Sequence, residues 1–289
     1  WILFFKHKKP SGVWIMAYTT IDKPSDYFDT KLYTATASDL SITGLDFAPN
    51  WIWIKSRNLT GDHSIFDSVR GTGKQLQSNT TGAEFTTADA LSAFNSDGFS
   101  ITGTGNNYTN RDGRTYASWN WKAGTSFTND ASATGIGTID STGSVSSDAG
   151  FGIVKWSGTS SAGTIAHNMG STPSFLIIKR LSDANWLVQA TTLGYGNYLA
   201  LNTTDASASA STLVTGVSST LVTLGNNGSV NGSGQTYIGY FFSEKQGYSK
   251  FSSYTGNGNA DGTFVYTGFK PAFMMVKRAV GGTGSWAIT

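Results

Sequence analysis

Short apolar runs alternate with Gly-, Ser-, Thr- and Asn-rich stretches along nearly the whole chain. The runs are rich in aromatic and β-branched residues and end at turn-forming residues, a pattern typical of β-strands. Apolar residues do not recur at the spacing of an amphipathic helix, and the longest helix-compatible stretch is residues 87–94. The pattern therefore predicts an all-β fold.

One apolar run occurs three times, at residues 49–55, 173–179 and 271–277. Each copy is a proline, a small or polar residue, four large apolar residues and a lysine. A continuous apolar run is expected for a central strand that is buried on both faces. The proline marks the entry into the strand, since a proline inside it would lose a ladder hydrogen bond. We interpret the recurrent lysines Lys55, Lys179 and Lys277 as solvated strand ends.

The similarity extends beyond this run. Residues 76–81 (Leu-Gln-Ser-Asn-Thr-Thr) match residues 199–204 (Leu-Ala-Leu-Asn-Thr-Thr), and residues 113–121 match residues 234–242. Matches that keep their order indicate an array of one structural unit. We predict repeat units at residues 29–124, 151–247 and 248–289. The third is less than half as long as the others, so we expect the chain to be a fragment of a longer protein.

Each complete unit, at about 95 residues, is long enough to bury its own core. Several short strands per unit, separated by turns, predict tandem antiparallel β-sandwich or jelly-roll-like repeat units. Residues 125–150 are rich in Ser, Thr, Gly and Ala and contain few large apolar residues. For this segment the sequence predicts a flexible linker or an exposed hairpin.

The first fifteen residues differ from the rest. A short apolar run is followed by a basic cluster, but the run is far shorter than the roughly 20 residues that span a bilayer. It also lacks the cleavage pattern of a signal peptide. We interpret residues 1–15 as a non-native or truncated leader before an initiating Met16, with an N-terminal segment at residues 16–28. The alternative is the end of a truncated transmembrane helix.

Composition narrows the class of protein. Charged residues make up 13% of the chain, about half the usual share. A net charge of +2 is too small to attract nucleic acid or an anionic membrane strongly, and we expect neither as a partner. The absence of cysteine excludes disulfides, thiolate catalysis and sulfur-ligated metals. Such a chain suits a virion or cell-surface protein.

The sequence contains no strong candidate for a catalytic site. The histidines His7, His63 and His167 show no metal-ligand spacing. Ser64 and Asp67 lie near His63 and supply the residue types of a catalytic triad. Adjacent residues on a strand point to opposite faces, however, so Ser64 and His63 cannot cooperate without a bulge.

Glycoside hydrolysis requires two carboxyl groups at a defined separation. Of the acidic residues in the second unit, only Asp205 falls near a counterpart in the first, Glu84, and no pair is repeated. We therefore expect no catalytic residue, no metal site and no cofactor, and we predict that the protein is not an enzyme.

Three residues are candidates for ligand binding: His63, Trp119 and Trp121. In residues 115–121 the alternation places both tryptophans on one face of a strand. The second unit has Tyr240 and Phe242 in their place, which preserves size and favours a core position. A tryptophan that faced outward would instead be able to stack on a sugar ring.

Several sequence blocks resemble a family of uncharacterised repeat domains in structural proteins of bacteriophages, especially marine phages. The blocks are Met16–Ser25, Trp51–Lys55, Phe66–Gly71, Asp97–Ser100, Trp119–Lys122 and Tyr248–Gly258. The resemblance covers residues 16–289. It implies a tail-fibre or virion-associated protein, and no catalytic residue can be carried over from it.

Our leading hypothesis is a phage virion structural protein, in a tail fibre or tail-associated, that adheres to host-surface glycan. The resemblance implies other virion proteins and the host glycan as partners, a homo-oligomer, and an extracellular location in the virion. The alternative is an array of carbohydrate-binding modules in a larger secreted or cell-surface enzyme of bacteria. A depolymerase within this chain is disfavoured because no acid pair recurs.

Overall fold

The computed structural model describes residues 18–87, 90–103 and 108–289. The predicted leader at residues 1–15, with His7, and the initiating Met16 lie outside the described residues, as does part of the stretch at residues 87–94. The described chain is nearly all β-structure, and every strand pair is antiparallel. The predicted all-β antiparallel sandwich class is confirmed.

The first part of the chain forms three sheets. Its strands are β1 (Phe28–Thr34), β2 (Leu40–Ile42), β3 (Trp51–Ser56), β4 (Ser64–Asp67), β5 (Lys74–Gln75), β6 (Phe85–Thr86), β7 (Leu91–Asn95), β8 (Gly98–Ile101) and β9 (Thr115–Trp121). The sheet orders are β1-β9-β3-β4, β2-β8-β7 and β5-β6. A 3₁₀ turn at Pro24–Asp26 precedes β1.

The second part forms an eight-stranded and a three-stranded sheet. Its strands are β10 (Thr125–Asn129), β11 (Ser141–Ser146), β12 (Phe151–Ser157), β13 (Gly163–Ala166), β14 (Phe175–Arg180), β15 (Trp186–Ala190), β16 (Asn197–Ala200), β17 (Ala208–Ser209), β18 (Val214–Val217), β19 (Leu221–Leu224) and β20 (Thr236–Phe242). The orders are β10-β11-β12-β20-β14-β15-β16-β17 and β13-β19-β18.

Short helical segments and a last strand pair complete the chain. The helical segments are α1 (Ala131–Thr134), α2 (Gly228–Asn231) and a 3₁₀ turn at Thr191–Leu193. β21 (Met275–Val276) and β22 (Ala287–Ile288) pair with each other. No helix among the described residues is long and apolar enough to span a bilayer.

The two large sheets share a strand order and a register. The series β1-β9-β3-β4 corresponds to β12-β20-β14-β15. Trp53 lies opposite Trp119 and Ile65, as Ile177 lies opposite Tyr240 and Val188. By the same register, β21 and β22 correspond to β3 and β4, and to β14 and β15. The exact boundaries of the repeat units stay predictions.

The thrice-repeated apolar run forms a central strand in both large sheets. β3 lies between β9 and β4, and β14 lies between β20 and β15. Residues 51–54 are buried on both faces, which confirms that prediction. Pro49 and Pro173 precede their strands, where neither removes a donor from the ladder.

Both faces of each large sheet are packed. The outer faces pack on the small sheets β2-β8-β7 and β13-β19-β18, giving two separate apolar cores. The inner faces share a third core, rich in aromatic residues, to which residues of β21 and β22 also contribute. In it the Trp51 ring stacks on Tyr240 at 4.5 Å between centroids, and Phe273 lies edge-on to Trp121 at 5.3 Å. The units thus share a core.

Of the two structures predicted for residues 125–150, the segment forms a hairpin and not a flexible linker. The segment supplies β10, α1 and β11, and β11 extends the eight-stranded sheet by pairing with β12. Although large apolar residues are few here, Ile139 and Val145 are both buried in the outer core. A side chain at Gly143 would collide with the main chain of Ile153, so the close strand approach requires glycine.

Candidate functional site

Two of the three candidate ligand-binding residues line one open cavity of about 410 Å³. Strands β3 and β9 and the turn before β4 contribute one side, and the loops after β5 and β16 and strand β22 contribute the rest. The lining residues are Trp53, Lys55, His63, Ser78, Asn79, Trp119, Leu201, Asn202, Thr203, Thr204, Ser285, Trp286 and Ile288. The cavity therefore lies where all three predicted units meet.

A second cavity, of about 460 Å³, lies within the second part of the chain. Strands β11 and β12 and their flanking turns form most of its lining, and Trp156 is its one aromatic residue. It contains none of the candidate residues. The first cavity is the candidate site.

His63 is fixed in the cavity wall by its neighbours. Its Nδ1 atom accepts a hydrogen bond from the Trp53 indole N–H at 2.8 Å. Its main-chain N–H donates to Asn79 Oδ1 at 2.9 Å, and Asn79 Nδ2 donates in turn to Asp62 at 2.6 Å. Burial, with the nearby positive charge of Lys55, lowers the pKa of His63 to about 4. The imidazole is therefore neutral at pH 7.

The two candidate tryptophans occupy different environments. Trp119 is partly exposed at the cavity and lies edge-on to Trp53, with the ring centroids 6.2 Å apart. Trp121 is only 7% exposed and packs on Trp51 and Phe28 in the shared core, so it does not line the cavity. Trp121 is a core residue. This agrees with the core position that the similar size of Phe242, its counterpart in the second unit, favoured.

His63, Ser64 and Asp67 do not form a catalytic triad. Asp67 Oδ2 accepts from Arg70 Nε at 2.6 Å and from the Tyr240 hydroxyl at 2.7 Å. Ser64 Oγ accepts from the Gln75 amide at 2.9 Å. His63 Nδ1 accepts a hydrogen bond from Trp53. Each of the three side chains is therefore hydrogen-bonded to a residue outside the triad.

Two of the acidic residues, Asp67 and Glu84, pair with one buried arginine. Arg70 is buried between Asp67 and Glu84, with its Nη1 atom 3.2 Å from a Glu84 oxygen. Burial alone would lower the pKa of Arg70, but Asp67, Tyr240 and Glu84 together more than offset this, so the pKa is raised. Glu84 is therefore held as a counter-ion, and Asp205 is exposed. No group of three or more metal-ligating side chains occurs among the described residues.

The interpretation of the recurrent lysines as solvated strand ends is wrong for Lys179, whereas Lys55 and Lys277 are partly exposed. Lys179 is 0% exposed, and its ammonium donates to the carbonyls of Thr81, Ser182 and Ala184 at 3.1, 3.2 and 2.8 Å. Burial lowers its pKa to about 8. One of its three acceptors, Thr81, belongs to the preceding unit, which a strand pattern alone does not reveal.

The contact of Lys179 belongs to an interface between the first and second units. The Thr81 carbonyl also accepts from the main-chain N–H of Ala184 at 2.9 Å. The indole N–H of Trp186 donates to the Gln77 carbonyl at 2.9 Å. The main-chain N–H of Glu84 donates to the Leu181 carbonyl at 2.8 Å. Four bonds thus fix residues 76–84 against residues 179–186.

The same four bonds occur between the second and third units. The Thr204 carbonyl accepts from Lys277 Nζ and from the main-chain N–H of Gly284, both at 2.8 Å. The indole N–H of Trp286 donates to the Ala200 carbonyl at 2.9 Å. The main-chain N–H of Ser207 donates to Ala279 at 2.8 Å. We call residues 76–81 and 199–204 the Asn-Thr-Thr loops.

Each Asn-Thr-Thr loop is also anchored in its own unit by its asparagine. Asn79 Oδ1 accepts from the main-chain N–H of His63, and Asn202 Oδ1 accepts from that of Trp186 at 2.8 Å. Leu76 bridges to Ile65, and Leu199 pairs with Val188. The sequence signal for this interface is the joint recurrence of Asn-Thr-Thr and of the strand-end lysine.

The chain belongs to a family described as a domain of unknown function (DUF7483), whose model matches residues 23–289. Comparison with curated proteins gives no match. Comparison with solved structures gives none either. The family's description assigns no activity, substrate or partner.

Proposed function

We propose that the protein is a structural component of a bacteriophage virion, within a tail fibre or a tail-associated assembly. The observation that carries the proposal is the interface that occurs twice with the same four hydrogen bonds. An array in which each unit contacts the next through one repeated interface builds a rigid, extendable scaffold. The shared aromatic core adds to this rigidity, because it is contributed by all three units.

The buried charges also fit a scaffold. Arg70, Asp67 and Lys179 are each engaged by several hydrogen bonds inside the fold. Groups held in this way stabilise one arrangement and are not free to act on a substrate. The virion location itself rests on the resemblance of the sequence blocks to phage structural repeat domains.

Mass spectrometry of purified particles tests the proposal. Particles of the phage whose genome encodes this chain should contain its peptides in amounts comparable to those of other tail proteins. Detection only in the lysate of infected cells, with none in washed particles, would contradict a structural role. Cleavage of bacterial polysaccharide by the purified protein would contradict the assignment as a non-enzyme.

Glycan binding is the second candidate, either as host adhesion or as a module of a larger enzyme. One observation favours it: Trp119 and Trp286 are partly exposed in the same cavity as the amides of Asn79 and Asn202. Binding sites for small molecules commonly combine aromatic walls with a few polar groups.

Titration calorimetry with host-surface oligosaccharides tests this candidate. Trp119→Ala should abolish binding, whereas Tyr254→Ala, at an exposed position outside the cavity, should leave it intact. Binding that survives Trp119→Ala would place the glycan elsewhere or exclude it.

A further inference from the structure

We propose that the cavity is the docking site for a third Asn-Thr-Thr segment, which would pair with β22 in the place of a loop of the third unit and contact the first unit. It would form a third copy of the interface that already joins the first unit to the second and the second to the third. The docking concerns assembly and does not depend on whether the protein belongs to a virion.

One wall of the cavity matches the surface on which an Asn-Thr-Thr loop is anchored in its own unit. By register, Ile288 corresponds to Ile65 and Val188, which pair with Leu76 and Leu199. Trp286 corresponds to Trp186, whose main-chain N–H is bound by Asn202. Among the described residues, β22 pairs with β21 alone, so its other edge is open to a strand that continues into the loop.

The opposite wall matches the surface that receives the loop of a preceding unit. Lys55 corresponds to Lys179 and Lys277, each of which binds the carbonyl of the last threonine in a loop. Lys55 Nζ instead donates to the carbonyls of Ser56, at the end of β3, and of Leu59, in the following turn, at 2.9 and 3.4 Å. Within the part of the chain that the structure describes, Lys55 has no acceptor from an Asn-Thr-Thr loop.

His63 occupies the position of the interface tryptophans Trp186 and Trp286. Those indoles donate to the carbonyl one residue after the leucine of the loop, Gln77 and Ala200. Because Nδ1 of His63 accepts from Trp53, the neutral ring carries its proton on Nε2. The imidazole therefore offers an N–H donor where the two occupied interfaces use an indole N–H.

The occupant follows from the two interfaces already formed. A second copy of this chain cannot supply the loop, because its own loops at residues 76–81 and 199–204 are bound within the chain. A sugar is poorly matched: Trp53 is 1% exposed, and the Trp286 N–H is already bonded to Ala200. A peptide segment that contains Asn-Thr-Thr matches both walls with contacts that the chain makes elsewhere.

A synthetic peptide tests the docking. The probe is residues 197–210 of this chain with blocked ends, which includes β16, the loop and β17. It is titrated into the full-length protein while the indole N–H signals are followed by NMR. We expect saturable binding of one peptide per chain, with shifts of the Trp53 and Trp119 signals.

Two substitutions, one on each side, should each weaken binding about tenfold, or about 1.4 kcal/mol. In the peptide, Asn202→Ala removes the acceptor for the Trp286 main-chain N–H. In the protein, Lys55→Gln removes the ammonium that would bind the last threonine carbonyl. Lys250→Gln, at an exposed lysine that pairs with Glu244, is the matched control and should leave the affinity unchanged.

Three results would overturn the docking. The first is the absence of saturable binding at millimolar peptide. The second is equal affinity for the Asn202→Ala peptide, which needs no change in the protein and so is independent of folding. The third is a shift of the Trp119 and Trp286 signals by chitotriose when the peptide causes none, which would assign the cavity to a glycan.

Discussion

Replacing Tyr240 by phenylalanine removes one hydroxyl group that joins the first and second units. The hydroxyl lies on β20 and donates to Asp67 on β4 at 2.7 Å, and both residues are 0% exposed. Asp67 keeps its bonds from Arg70 Nε and from the main-chain N–H groups of Val69 and Arg70. The substitution therefore deletes one charge-assisted bond and little else.

The expected loss in the free energy of unfolding is about 1.5–3 kcal/mol. A hydrogen bond to a charged group is worth roughly this amount, against roughly 0.5–1.5 kcal/mol for a neutral pair. The phenyl ring of phenylalanine keeps the stacking on Trp51, with centroids 4.5 Å apart, so the apolar contribution should not change. Burial and the Asp67 charge both hold the hydroxyl of Tyr240 protonated, because each raises its pKa.

Guanidinium unfolding followed by tryptophan fluorescence measures the effect. Tyr33→Phe is the control, since its hydroxyl donates to the neutral carbonyl of Thr109 at 2.8 Å and contacts only the first unit. Both proteins should unfold in a single transition with the same denaturant slope, and Tyr240→Phe should lose more stability. The reasoning is refuted if Tyr240→Phe costs no more than Tyr33→Phe, or if the two units unfold in separate transitions.

Two further predictions concern His63 and a glycine. The pKa of His63 is about 4 when folded against 6.5 for the free side chain, mainly because of burial. The unfolded chain thus takes up a proton between pH 6.5 and 4 that the folded chain does not. Stability should fall by roughly 2–3 kcal/mol from pH 7 to 4.5, and His63→Gln should lack this part of the loss; parallel pH profiles of the two proteins would contradict it. Gly98→Ala should cost about 1–3 kcal/mol, because a Cβ there would collide with the main chain of Ile42, whereas Gly61→Ala has open space and should be nearly neutral. Thermal melting of both variants checks this, and an unaffected Gly98→Ala protein would show that β2 and β8 separate easily.

The strands could be predicted from the sequence because their signals are local. The run at residues 51–54 is apolar without interruption, and the strand is buried on both faces as this pattern requires. The alternation at residues 115–121 correctly placed Trp119 and Trp121 on one face, which borders the shared core. It did not separate their roles, since exposure at the cavity depends on the loops that cover each ring.

The contacts between units could not be predicted, because they depend on which loops meet in space. Nothing in residues 173–179 indicates that Lys179 would be covered by Thr81, about a hundred residues earlier in the chain. Nor does a Ser- and Gly-rich composition show that residues 125–150 would extend a sheet, since small residues also suit closely packed strands. The sequence shows that Asn-Thr-Thr and the lysine both recur, but it does not show that the lysine of one unit binds the loop of another.

Hydrogen exchange at two main-chain amides tests the repeated interface most directly. Ala184 and Gly284 donate their N–H groups to the carbonyls of Thr81 and Thr204, at 2.9 and 2.8 Å, across the two contacts between units. If the units are joined as described, both amides should exchange at least roughly a hundredfold more slowly than that of the exposed Gly256, since exchange then requires the interface to open. Exchange of Ala184 and Gly284 at the rate of Gly256 would show that the interfaces do not form, and would contradict the account.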